Sequence, residues 1–199
     1  MRCVHRTVAL ATIVAALASP APRGLAGQQP TPGQLLVALT AGLGSANVHC
    51  DICDLRRETA FASELSVGYA LSHEVVAGAE FGGWIKDQGF FDAKNITESI
   101  GTVAATGYYF PDPLSGFFVK GGVGVSWYHA NGPGTDLTGT GSGLVLGTGF
   151  DLSFGPHTSV RFVASHVWGD LGQIRGGGTT FLRNWKQDII SLTVGLSVH

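Results

Sequence analysis

The sequence predicts an all-β protein, an eight-stranded antiparallel up-and-down transmembrane β-barrel, and three observations carry that reading. The first is the stretch Gly107 to Ala130, two strand-forming runs joined by Pro111-Asp-Pro113. In its second run Phe117, Val119, Gly121, Val123, Val125 and Trp127 share one face, and Phe118, Lys120, Gly122, Gly124, Ser126 and Tyr128 the other. That is the period of a strand between two environments, one apolar and one small and polar. The second observation is that such alternating segments recur along the chain, with connections that alternate long and short, as in a barrel with long external loops and short periplasmic turns. The third is composition: 30 glycines and only 13% charged residues, with few helical repeats, suit a tightly curved sheet.

Each strand follows from its own alternation. Leu35 to Gly44 places Leu35, Val37, Leu39 and Leu43 on one face, and the polar segment Ser45 to Thr59 follows. Phe61 to Leu71 points Phe61, Leu65, Val67 and Tyr69 outward and Glu64, Ser66 and Gly68 inward. After the Ser72-His73 turn, Val75 to Lys86 keeps Val75, Phe81 and Ile85 outward and Glu80 and Trp84 inward, so Trp84 is on the wrong face for a lipid anchor. The loop Asp87 to Asn95 leads to Ile96 to Phe110, whose two faces the pattern does not distinguish. Phe117 to Tyr128 is the fifth strand, and Asn131 to Gly139 reads as a glycine-containing loop. Thr140 to Ser153 carries Leu144, Leu146, Phe150 and Leu152 outward, opposite Gly143, Gly147 and Asp151. Beyond Phe154-Gly-Pro-His157, Ser159 to Trp168 sets Val160, Phe162, His166 and Trp168 against Arg161 and Ser165. Gly169 to Asn184 reads as a long loop, and Trp185 to Val198 as the closing strand.

Aromatics gather at the strand ends, as interfacial girdles do. Trp127, Trp168 and Trp185 fall at long-loop ends and Tyr69, Tyr108 and Phe117 toward short-turn ends, and all six are expected at the membrane interfaces. The long segments Ser45 to Thr59 and Gly169 to Asn184 are expected to face the cell exterior.

The chain opens with a basic hexapeptide, an uncharged run from Thr7 to Ala18 and a small-residue region ending near Ala26 or Gly27. This reads as a cleaved signal peptide, residues 1–27, because Pro20, Pro22 and Arg23 cut the run well short of the ~20 residues a spanning helix needs. Residues 28–199 then form one barrel domain. Three basic residues leave with the signal, so the mature chain keeps 12 − 3 = 9 Lys and Arg against 14 acids, a net charge of 9 − 14 = −5, which disfavours nucleic acid as a partner.

With these residues in view the chain resembles the small eight-stranded outer-membrane barrels of OmpA type and Ail type. The likeness covers the whole mature chain and rests on the signal peptide, the glycine-rich strand Val119 to Tyr128 and the terminal strand Ile189 to Val198. It implies outer-membrane lipid and the barrel-assembly machinery as partners. Such families usually close on an aromatic residue, whereas this chain ends in His199.

Cys50 and Cys53, in the first external segment behind His49, are the mature cysteines in an oxidising compartment and are expected to form a loop disulfide. A zinc site needs more ligands than this segment offers. His129 and His166 lie near the external end of outward faces, where lipid A deacylases of this shape keep a His and a Ser two residues apart. Here the neighbours at that spacing are Trp127, Asn131, Ala164 and Trp168, so the nucleophile is missing and no enzyme, cofactor or metal is expected.

Inward charges remain: Glu64, Glu80, Lys120, Asp151 and Arg161. Eight strands leave an interior that side chains just fill, so these five are expected to pair as a plug, with Asp151 held between Arg161 and Lys120 in one layer. The functional expectation is a non-enzymatic integral outer-membrane barrel serving envelope structure or surface contact through its loops. A narrow channel or carrier for small or apolar molecules is the second class, and a lipid-modifying enzyme the third. A soluble lipocalin-like barrel would reverse the two faces.

Overall fold

A computed structural model describes residues 30–54, 56–87, 96–177 and 179–199; the signal-peptide expectation, residues 1–27, lies outside them, as does the loop segment 88–95. Eight long antiparallel strands follow one another around a single sheet: β1 (Leu35–Cys50), β2 (Glu58–Ala70), β3 (Val75–Asp87), β4 (Thr97–Tyr109), β5 (Phe117–Gly132), β6 (Thr135–Ser153), β7 (Thr158–Gly176) and β8 (Thr179–Val198). A two-residue strand, Cys53–Asp54, pairs with the end of β1. The first and last long strands pair antiparallel from Val37↔Val198 to His49↔Lys186, and this pairing closes the barrel and leaves the sheet no long edge.

The alternation sorts every strand into a lipid side and a lumen side. Leu39 is 61% exposed and Leu192 66%, while Leu36 and Ala38 between the outward positions are buried. Outward apolar residues run from Leu35 to Leu43 on β1, Phe61 to Tyr69 on β2, Leu144 to Leu152 on β6 and Ile190 to Val198 on β8, a belt of the height that a hydrocarbon layer requires. β4 is resolved in favour of its even-numbered residues: Glu98, Ile100, Thr102, Ala104, Thr106 and Tyr108 face the lumen, and Val103 and Tyr109 the lipid. Gly101 blurred the pattern for a packing reason, since a Cβ there would stand 2.1 Å from the Trp127 ring that covers it.

One end of the barrel is built from short turns, and the other is taller than expected. At the first, Ser72 Oγ accepts from the amides of Glu74 and Val75 at 3.2 and 3.1 Å, and Asp112 Oδ1 from that of Leu114 at 3.1 Å. At the second, the supposed loops Asn131 to Gly139 and Gly169 to Asn184 are strand. β5 and β6 stay in register to Gly132↔Thr135 across a Pro133-Gly134 turn, and β7 and β8 stay paired, with shifts of register, to Gly176↔Thr179. The reason is that above the lipid belt the outward positions become polar (Asp136, Thr138, Asp170, Arg175, Arg183) while the inward ones stay apolar (Leu137, Leu171, Ile174, Leu182, Trp185). Three shifts of register between β7 and β8 hid the period there. Gly172, at φ 65, and Asn184, at φ 52, each insert a residue, so that Leu171 with Ile174 and Leu182 with Trp185 face inward three apart rather than two or four.

Candidate functional site: the filled lumen and its rim

The lumen is packed in three layers. Toward the short-turn end, Ala70, Val76, Tyr108, Phe110, Phe118 and Val163 form an apolar cluster. Toward the tall end a larger one gathers around Trp84, Ile100, Tyr128, Leu171, Ile174 and Trp185, with the Tyr128 and Trp185 rings 4.6 Å apart. Between them lies a polar belt that holds Glu64, Glu80 and Lys120, while Asp151 and Arg161 lie on the short-turn side of Phe118.

Those charges form two groups. Lys120 Nζ stands 2.6 Å from Glu64 Oε2 and 2.7 Å from Glu80 Oε2, so one ammonium bridges carboxylates from β2 and β3. Ser165 Oγ donates to Glu64 at 3.2 Å, and Tyr108 Oη to Glu80 at 3.1 Å, which satisfies further lone pairs in a space without bulk water. Gly147 makes this possible, since a Cβ there would meet Lys120 Cε at 2.8 Å. The second group is the cross-strand pair Asp151–Arg161, whose Nε and Nη2 donate to the two carboxylate oxygens at 2.7 and 2.6 Å. Arg161 also lies over the Phe118 ring, 4.8 Å from its centroid.

The expected single layer of Asp151, Arg161 and Lys120 is therefore corrected. β5 and β6 pair Lys120 with Gly147, and Asp151 sits four residues farther down β6. Its amide donates to Gly116 O at 2.9 Å, below the start of β5. Equal counting from two turns of different length misjudges depth, and Lys120 reaches across the lumen instead.

Above the charges, Thr102 and Ser126 hydroxyls lie 3.0 Å apart, Gln187 Nε2 donates to Ser126 at 2.9 Å, and Trp185 Nε1 donates to Gln187 at 3.2 Å. The period-two pattern turns Ser126, Trp185 and Gln187 of this network inward, whereas Thr102 lies on the strand whose faces it does not distinguish. A cavity of about 30 Å³ remains beside Glu64, Glu80, Thr102 and Thr193, next to Gly82, enough for a single water.

The aromatic girdle needs two corrections. Trp127 and Trp168 stand on the outer wall, Trp127 tilted against Phe81 at 5.7 Å and Trp168 against His166 at 3.6 Å. Tyr69 and Phe117 also face outward. Tyr108 and Trp185 are instead buried in the lumen, at 2% and 0% exposure. Their polar atoms find partners inside, Glu80 and Gln187, which is what such rings need when buried.

At the tall end Cys50 is disulfide-bonded, and its register partner across the tight turn is Cys53. The turn is held to β8 by Asn184 Nδ2 donating to Asp51 Oδ1 at 2.6 Å. Arg57 crosses β1 to pair with Asp188 on β8 and donates to Ser45 O at 3.0 Å. His166 Nε2 lies 3.5 Å from the same Asp188 oxygen, and His129 pairs with Asp136 at 3.4 Å. Among the described residues no group of three His, Cys, Asp or Glu side chains gathers to hold a metal ion.

Comparison with known proteins places this architecture. The chain is similar to the crystal structure of Neisserial surface protein A, at 17% identity over 82% of this chain and 96% of that one, with a TM-score of 0.54. It is also similar to Ail, the attachment invasion locus protein of Yersinia pestis, at 15% identity over 84% and 99%, with a TM-score of 0.55. Ail in complex with the heparin analogue sucrose octasulfate matches at 14% identity over 82% and 99%, with a TM-score of 0.50. No curated protein matches the chain in sequence. At these identities the structural likeness establishes the fold, a closed barrel of antiparallel strands. The family model described as outer membrane protein beta-barrel domain matches residues 7–197, nearly the entire chain, so this protein belongs to that family and is a β-barrel of the bacterial outer membrane.

Proposed function

We propose that this barrel is a closed, non-enzymatic membrane-embedded stem that holds a rigid β-wall above the outer leaflet for contact with other surfaces. The observation that carries the reading is the filling of the lumen. Two apolar clusters seal the ends of a polar belt around Lys120, the Asp151–Arg161 pair fills the short-turn end, and both cations are held by carboxylates at 2.6 to 2.7 Å. An ion crossing this path would have to displace both apolar clusters and separate buried charge pairs, each costing several kcal/mol.

The wall is supported by the height of β5 to β8. Strand pairing continues well above the lipid belt, and it offers Arg175, Phe181 and Arg183 to solvent beside the turn after Cys50 and its exposed Ile52. A paired β-wall presents contact residues with little ordering cost on binding. Ail carries attachment in its name, and a surface-contact role for the present barrel is the matching proposal.

The test is a planar-bilayer recording on refolded protein. We expect no conductance steps above the bare bilayer; discrete steps would replace the stem with a narrow channel. Orientation is read separately with Pro133→Cys at the β5–β6 turn and Phe154→Cys at a short turn. A membrane-impermeant maleimide should label the first on intact cells and the second only after the outer membrane is opened, and the reverse result would invert the topology.

A further inference from the structure

A groove of about 380 Å³ crosses the outer wall where the lipid belt ends, and its lining is organised in two cross-strand rows. The upper row is His49, Lys186, Asp170 and Ser142, one residue from each of β1, β8, β7 and β6, each the register partner of the next. The lower row, one outward step toward the membrane, contains Asp188, Trp168 and Leu144 in the same partnership. Below that come Ile190, His166 and Leu146, where His166 lies against Asp188 and Trp168 and the two aliphatic residues belong to the apolar belt. The groove therefore lies at headgroup depth, with a polar shelf above and an apolar exit below.

Its charges are informative because they are not spent on each other. Asp188 is neutralised by Arg57. Lys186 and Asp170 sit directly opposite on neighbouring strands, yet among the described residues neither makes an ion pair, and both are exposed. The site thus presents an ammonium and a carboxylate side by side as register partners, neither held in an ion pair among the described residues. A simple anion would meet repulsion from Asp170, and a simple cation from Lys186. A zwitterion with a phosphate and a primary ammonium a short linker apart matches both.

We propose that this groove is a binding site for a phosphoethanolamine headgroup. The phosphate lies against Lys186, the ammonium donates to Asp170 beside it, Trp168 covers the linker, and the acyl chain descends over Leu144. A primary ammonium donates three hydrogen bonds where a quaternary one donates none, so the carboxylate selects ethanolamine over choline. The same headgroup could belong to a glycerophospholipid or to a glycolipid that carries it.

The experiment uses the refolded full barrel in uncharged maltoside micelles, titrated with dihexanoylphosphatidylethanolamine and followed by backbone amide chemical shifts. Saturable shifts confined to the two rows are expected, with the choline analogue bound about tenfold more weakly, a typical worth for one charge-assisted hydrogen bond. Lys186→Gln should lose the site, Lys186→Arg should keep it, and Asp170→Asn should bring the ethanolamine and choline lipids to equal affinity. Both residues are outside the lumen packing, and heat-modifiable migration verifies that each variant folds. Equal binding of ethanolamine, choline and glycerol headgroups, or an unchanged Lys186→Gln variant, would overturn the proposal. Mass spectrometry of lipid retained by protein taken gently from its own membrane then identifies the source. A glycerophosphoethanolamine or a phosphoethanolamine glycolipid each supports the site, and retention of neither counts against it.

Discussion

Replacing Asp151 with Asn removes one charge from a pair that has nowhere else to go. Both Asp151 and Arg161 are 1% exposed, and two of the guanidinium nitrogens donate to the carboxylate at 2.7 and 2.6 Å. The remaining terminal nitrogen, Nη1, is buried and finds no hydrogen-bond acceptor among the described residues. Opposite charges ~4 Å apart at an effective dielectric of ~20 interact by about 4 kcal/mol. Breaking a buried pair by removing one partner typically costs 3–5 kcal/mol, and the asparagine carbonyl keeps one of the two hydrogen bonds. The expected loss is therefore about 3 kcal/mol. Adding Arg161→Met should recover most of it, because the orphaned charge disappears and the thioether can pack on Phe118, whose ring centroid Arg161 already approaches to 4.8 Å. A urea titration in micelles, followed by tryptophan fluorescence, reads both values from midpoints at constant slope. If Asp151→Asn shifts stability by less than ~0.5 kcal/mol and the double variant is no better, the pair does not close the lumen as argued.

Lys120→Met leaves Glu64 and Glu80 facing each other without their shared cation and should cost about 3–5 kcal/mol, more than Glu80→Gln, which leaves Lys120 one full partner. The same titration should show Glu80→Gln partly rescuing Lys120→Met. In single-tryptophan variants, brominated lipid should quench Trp127 and Trp168 on the outer wall and spare Trp84 and Trp185, both 0% exposed. Equal quenching of all four would contradict the lumen placement. Replacing Cys50 and Cys53 by Ser opens only a very short loop, so chain-entropy reasoning limits the loss to about 2 kcal/mol. Barrel migration on unheated gels should be unchanged, and loss of the folded band would mean that the turn nucleates β1.

The physical basis of what could be read from the chain is the strict two-residue period of a strand. Wherever one face meets lipid, apolar residues must occupy every second position, and a slip of one would bury the whole set on the wrong side. Hence Leu35 to Leu43, Phe61 to Tyr69 and Ile190 to Val198 declare eight crossings between them and their neighbours, and Glu64, Glu80, Lys120, Asp151 and Arg161 declare themselves inward. Above the membrane that contrast inverts, because water bathes the outer face while the lumen stays apolar, and outward polar residues such as Thr138, Gln173 and Arg183 look like loop. The tall hairpins were invisible for that reason, and the extra residues at Gly172 and Asn184 broke the phase of what signal remained. Partnership was also beyond the sequence. Which inward charges meet depends on the stagger of all eight strands around the closed barrel, a global quantity that no local pattern encodes, and it is this stagger that gave Lys120 to Glu64 and Glu80 and left Asp151 to Arg161 alone.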